Sequence, residues 1–431
     1  TNVTLADGES VTVDAMTLGG THLNAFAGIG GAYFIDSNAN NRIDAGDTNN
    51  PNARGFVLED AELALALLAP SQDVSRLNGL SWLGLQATAN KIGFVGGTEL
   101  EMSVSKLQVE INQVFGLRDG MDATDLVVDF VKQPMQITTG TGTTHNLNLA
   151  GDKGQLIRAS ADVQIKLSDF VYVGGSLGFE KSTQLLTLDD GTRLSHDLLT
   201  VGGTDLQAFA GINGGPLIDS NHDGKIDSND TPSSDAVGFS LSGVEFALVI
   251  ATEHGVPSNT RIALEATVGS AKLVGLQAFT ANLHDVSLAV NLAGKVDGRV
   301  IDFNRSKLSV LTGTDRYHTL TIAGSDQEML RVSAAVSIAL DNYVYLDGRV
   351  AFEKRSDQVT LADGKSVAVD VLTVGGNNIS AFVGMDGPYR LDNNVLNPNA
   401  SGFSLSAVNF GLGLFYAKAD QVDNEGVSLV G

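Results

Sequence analysis

Three stretches of this chain are near-copies of one another. "VTLADGESVTVDAMTLGG" (Val3–Gly20) returns as "LTLDDGTRLSHDLLTVGG" (Leu186–Gly203) and again as "VTLADGKSVAVDVLTVGG" (Val359–Gly376). Each copy leads into the same short motif, at Ala25–Gly28, Ala208–Gly211 and Ala381–Gly384. A later segment, "VYVGGSLGFEK" ending at Lys181, matches "VYLDGRVAFEK" ending at Lys354. The chain therefore divides into unit one (1–181), unit two (182–354) and the opening part of unit three (355–431). A tandem repeat of this length restricts the fold to arrays in which each unit packs mainly on its neighbours.

Within a unit the apolar residues alternate, which is the strand signal. "GFSLSGVEFALVI" places Phe239 and Leu241 on one face, and then Val244, Phe246 and Leu248. The phase slips between Leu241 and Val244. The same slip recurs at Leu58 to Ala61, Val104 to Leu107, Leu167 to Phe170, Leu283 to Val286, Leu340 to Tyr343 and Leu405 to Val408. An interruption that restores the original face is what a β-bulge or a sheet corner requires. The turns at Ala6-Asp7-Gly8, Asp189-Asp190-Gly191 and Ala362-Asp363-Gly364 read as hairpins. No helical stripe longer than about two turns is present. The expected fold is all-β: an elongated tandem-repeat array of bulged strands, solenoid-like or an extended sheet. Phe239, Leu241, Val244, Phe246 and Leu248 are expected on its buried face, with Phe56, Leu58, Phe403 and Leu405.

Composition narrows the function classes. Lys and Arg number 27 against 50 Asp and Glu, a net charge of −23. Such a chain repels nucleic-acid phosphates and suits carboxylate sites for hard cations. With no cysteine, disulfides, thiolate metal sites and cysteine nucleophiles are excluded. The longest apolar run, around Glu62–Ala69, falls short of the roughly 20 residues that span a bilayer. There is no initiator Met and no signal peptide, so a mature chain or a piece of a longer one is expected.

One excursion carries site chemistry. After the Ala-Phe-Ala-Gly motif, unit two reads "DSNHDGKIDSND" and unit one "DSNANNRIDAGD". Acidic or amide side chains fall at every second position, as in a chain that wraps a small cation. In unit two the expected ligands are Asp219, Asn221, Asp223, the carbonyl of Lys225, Asp227 and Asp230, with Gly224 at the sharp turn. In unit one they are Asp36, Asn38, Asn40, the carbonyl of Arg42, Asp44 and Asp47, with Asn41 at the turn. Unit three reads "RLDNNVLNPNASGF" and lacks the positions equivalent to Asp223–Asp230. It should keep its strands and bind nothing in this way.

These loops resemble the calcium loops of EF-hands, and more closely dockerin repeats, which share the D-x-N-x-D-G-x-[IV] order. The resemblance implies Ca²⁺ as the ligand. Position 12 is Asp rather than Glu, and Thr231-Pro232 follows at once, so the loop must sit between strands rather than helices. The repeat organisation as a whole resembles the tandem-repeat regions of giant bacterial extracellular proteins, the type I-secreted adhesins. That resemblance implies an extracellular or cell-surface location, and calcium that stiffens the array after export.

Other constellations carry less. "DGMDATD" (119–125) reads as a polar turn. His145, His196, His222, His254, His284 and His318 show no paired spacing and read as surface or turn residues. Gly202-Gly203 opens no helix, which removes a phosphate-cradling role. No Ser/His/Asp set repeats with the units. The expectation is a calcium-binding structural or adhesive segment, a stalk or fibre, and not an enzyme. It would contact neighbouring repeats or self-associate, with no nucleic acid and no membrane span. A carbohydrate- or ligand-binding β module and an enzyme without a recognisable motif remain as alternatives.

Overall fold

Fourteen long antiparallel strands, of 12 to 20 residues each, and one short one follow each other in a single 15-stranded sheet. The computed structural model describes residues 1–43, 46–71, 77, 79–97, 100–118, 121–122, 126–168, 170–215, 217–218, 220, 230–391 and 395–417. Strands make up 69% of it and helix 1%, the latter being the turn Gly324–Asp326, so the all-β reading holds.

The repeat is visible strand by strand. In unit one the strands are Ser10–Ile29, Arg54–Pro70, Ser81–Val95, Leu100–Phe115, Leu156–Leu167 and Val171–Thr187. Their counterparts are Arg193–Ile212, Val237–Glu253, Thr260–Val274, Phe279–Leu292, Met329–Leu340 and Val344–Thr360. Ser366–Met385 and Ser401–Ala417 open the third unit. The sequence boundaries at 181 and 354 fall inside the strands Val171–Thr187 and Val344–Thr360, which pair onward into the next unit. The hairpins that follow are near-identical: Gly8, Gly191 and Gly364 have φ of 91°, 88° and 85°. In each, the preceding Asp accepts a backbone N–H from two residues on.

Five of the seven expected slips are bulges. Asp60, Lys106, Gly243, Asp285 and Ala407 each take a left-handed φ between 50° and 61°. His22, Asp205 and Asn378 do the same on neighbouring strands, so a seam of bulges crosses the sheet. Asp and Asn tolerate this region better than most residues. Polar clasps hold the seam: His22–Asp60 at 2.7 Å, Lys106–Asp162 at 3.0 Å, Arg349–Asp285 at 2.9 Å, and Arg316 with Asp205. The slips at Leu167 and Leu340 are turns between strands instead, closed by Phe170 N–H to Leu167 and Tyr343 N–H to Leu340. A two-residue interruption looks the same in sequence whether the chain bulges or reverses.

Among the described residues the core clusters lie on one face of the sheet. In units one and two the chain leaves the fourth strand and crosses that face before it returns to the fifth. These caps hold Val127-Val128-Asp129-Phe130 and Val300-Ile301-Asp302-Phe303, bridged to the hairpins at Leu5 and Leu188. Short hairpins follow, Met135–Gly140 with Thr143–Leu147, and Ser309–Gly313 with Arg316–Thr319. Beneath them lie small side chains: Ala64 and Ala66 in unit one, Ala247, Ala251 and Ala263 in unit two. Gly202 belongs to this contact, since a Cβ there would stand 2.5 Å from the Leu311 carbonyl oxygen. The unit-two cap also reaches back to unit one, where Arg158 donates to the Tyr317 hydroxyl at 3.1 Å.

The expected core face is therefore reversed. Phe56, Phe239 and Phe403 are 55%, 44% and 87% exposed, and Leu405 is exposed as well. Leu58, Leu241, Val244, Phe246 and Leu248 are only half-buried. Alternation divides a strand into two faces without saying which one receives a cover. Here the cap needs close backbone approach, so it covers the face that offers Gly84 and Gly202 beside Ala64, Ala66 and Ala247.

Candidate metal-binding loops

Each loop is carried between the first and second strands of its unit. In unit one, Tyr33 stacks on Phe26 at 6.0 Å and meets Phe34 edge-on at 4.9 Å, which anchors the loop base to the sheet. Asn50 clasps the base, its Nδ2 donating to the carbonyls of Gly30 and Ala32, both at 3.0 Å. A two-residue ribbon, Phe34–Ile35 with Thr48–Asn49, then brings the loop ends together.

Inside this frame the backbone curls around the oxygens. The Asp36 carboxylate accepts N–H bonds from Asn40 at 3.0 Å and Asn41 at 2.8 Å. Asn38 Oδ1 accepts from the Asn40 amide at 3.0 Å, and Asn40 Oδ1 from the Arg42 amide at 2.7 Å. Ala39 and Asn41 both take φ of 59°, so Asn41 fills the left-handed turn expected of it. Asp47 closes the loop by accepting the Ser37 amide at 3.1 Å. Asp36, Asn38, Asn40, Arg42 and Asp47 thus share one turn, and Asp44 lies outside the described residues.

Unit two repeats the closure. Its ribbon is Leu217–Ile218 with Thr231–Pro232. Asp230, buried, accepts the Ser220 amide at 3.2 Å, as Asp47 does from Ser37. Asp219, Asn221, Asp223, Lys225 and Asp227 lie outside the described residues, as does His222. Unit three keeps the clasp without the loop. Asn397 Nδ2 donates to the carbonyls of Asp386 and Pro388, and an Arg390–Leu396 bridge takes the place of the ribbon. Among the described residues no three His, Asp or Glu side chains are grouped as a metal ion would require, so a cation in unit one would rely on amide and backbone oxygens beside Asp36 and Asp47. The turn read at 119–125 is largely outside the described residues.

Sequence reasoning placed two histidines wrongly. His196 is fully buried, with Nδ1 donating to the Leu194 carbonyl at 2.9 Å and Nε2 facing Arg261 at 3.0 Å. Burial, with the Arg261 cation beside it, lowers its pKa. Arg261 is also fully buried and pairs with Asp297. Burial alone would raise the Asp297 carboxyl, but the Arg299 amide and side chain, with Arg261, hold it below the usual range. His318 bridges Glu245 at 3.2 Å and Glu265 at 3.0 Å and ties the unit-two cap hairpin to the sheet. The sequence signal for the caps is the repeated Val-Val-Asp-Phe and Val-Ile-Asp-Phe pair.

A groove of about 710 Å³ runs between the end of unit one and the unit-two loop. Tyr172 and Phe209 on its floor are buried in a cluster with Ala236 and Val274, which leaves their rings unavailable for stacking on a sugar. No helix among the described residues is long and apolar enough to cross a membrane. Comparison with protein-family models, curated proteins and solved structures finds no match to this chain.

Proposed function

We propose that this chain is a calcium-stiffened structural segment, a stalk, fibre or adhesive section of an extracellular or cell-surface repeat protein. The observation that carries the reading is the unit-one loop. Its Asp36 carboxylate and its Asn38 and Asn40 amide oxygens are held in orientation by backbone N–H bonds. Such preorientation lowers the ordering cost of binding, and an all-oxygen set suits a hard cation such as Ca²⁺. Unit three supports a local role, because it keeps the strands and the clasp without the loop. Calcium would then stiffen each loop rather than fold the sheet.

Isothermal titration with Ca²⁺ tests this. Two sites are expected, the tighter in unit two, whose loop has four carboxylates against three in unit one. Dissociation constants as weak as ~10⁻⁴–10⁻³ M suit an extracellular setting. Asp223→Ala should remove the tighter site and Asp36→Ala the weaker. Modest excess ligand should stabilise by only about 1–3 kcal/mol per site. No heat with the wild-type chain, or unchanged stoichiometry in both variants, would reduce the loops to polar turns.

A further inference from the structure

We propose that two copies of this chain pack face to face through the uncapped face of the sheet, forming a sandwich in which each copy supplies one layer. The inference is independent of calcium. The caps and loops occupy one face, and the sheet strands otherwise pack on their ladder neighbours. The opposite face leaves Phe56, Phe239, Phe403 and Leu405 exposed. Register pairing traces one row from Leu63 through Phe179 and Leu248 to Leu414, and it meets a single charged side chain, Lys354. The adjacent row, through Phe246 and Phe352, carries none.

Area and symmetry select the occupant. Fourteen long strands at about 4.8 Å spacing make a band roughly 60 Å long, and three to four rows give it a width of about 20 Å. That is roughly 1,200 Å² per copy, above the ~800 Å² per partner of a standard stable interface and beyond the patches that monomers usually expose. Sheets stack face to face at ~10 Å with aligned strands. The internal repeat makes the band self-complementary under a two-fold axis, because unit one of one copy then lies on unit two of the other. A membrane surface fits less well. The chain carries −23, and its only Trp, Trp82, is buried under the cap on the opposite face.

Sedimentation equilibrium of the whole chain, with calcium and with chelator, tests this. Twice the 45.0 kDa chain mass is expected in both conditions. Leu248→Asp and, separately, Phe352→Asp should weaken the dimer on the order of 100-fold by placing an unpaired charge in a desolvated contact, with the β circular dichroism unchanged. Should these variants misfold, Phe179→Cys gives a second reading, since the chain has no other thiol. Its labelling should be slow in the dimer and speed up on dilution. A monomer at every concentration overturns the proposal, as do dimers that survive both substitutions, or flotation of the wild-type chain with neutral phosphatidylcholine vesicles.

Discussion

Replacing Arg261 with Ala should destabilise unit two by about 3 kcal/mol, the low end of the cost of breaking a buried ion pair, because Asp297 is partly exposed and keeps Arg299. Its guanidinium is wholly buried among Asp297, the Arg299 carbonyl at 3.0 Å and His196 Nε2 at 3.0 Å. Truncation strands His196 Nε2 and takes one donor each from Asp297, which keeps Arg299, and from the Arg299 carbonyl, which keeps the Gly294 N–H. The repeat shows what else the site can hold. The counterpart of Arg261 is Trp82, whose indole N–H donates to the Leu126 carbonyl at 2.7 Å, and the counterpart of His196 is Val13. Arg299 and Leu126 are equivalent, so two unlike side chains satisfy one backbone carbonyl. The double change Arg261→Trp with His196→Val should therefore recover more than half of the Arg261→Ala loss, read as the urea midpoint. Recovery no better than Arg261→Ala alone would mean that the two sites are not equivalent.

The same site sets a pH dependence. Arg261 has only donors to offer, so His196 Nε2 must accept and the ring is neutral in the fold. Its folded pKa is lowered, whereas the unfolded chain takes up a proton below about pH 6.5. Stability is therefore complete above that pH and declines as the pH falls through it towards the lower folded value. His196→Val should remove this part of the slope between about pH 7 and 5. An unchanged slope would place the acid sensitivity elsewhere.

What the sequence made legible follows from what repeats and what alternates. The units, the strands, the Asp-Gly hairpins and most bulges are local patterns, and they recur at the same phase. Asn41 announced its own left-handed turn. The caps were not legible, because Val127–Phe130 and Val300–Phe303 gain meaning only when they lie across strands far away in sequence. The core face failed for the same reason. Phe239 and Leu241 outweigh Ser240 and Ala247 in size, yet the cap selects for closeness rather than bulk. His196 was misread because a histidine looks alike in sequence whether it faces solvent or a buried arginine.

Phe303→Ala should cost about 3–5 kcal/mol, and so should Phe130→Ala, since both rings are fully buried between cap and sheet. The Phe130 ring sits over Gly84, where a Cβ would come within 2.7 Å of it, so the sheet beneath cannot easily collapse to refill the space. A cavity that cannot relax sits at the costly end of the range. Phe246 offers the contrast. It lies on the uncapped face, half-buried by sheet neighbours only, and a large part of its burial would come from the second copy. At concentrations dilute enough for monomers, Phe246→Ala should cost roughly 1–2 kcal/mol. At concentrations that favour the dimer its cost should rise, because the truncation also removes interface contact, whereas the cost of Phe303→Ala should stay constant. Urea unfolding of both variants across a protein-concentration series separates the two cases. Equal costs at all concentrations would show that the two faces of the sheet are covered alike.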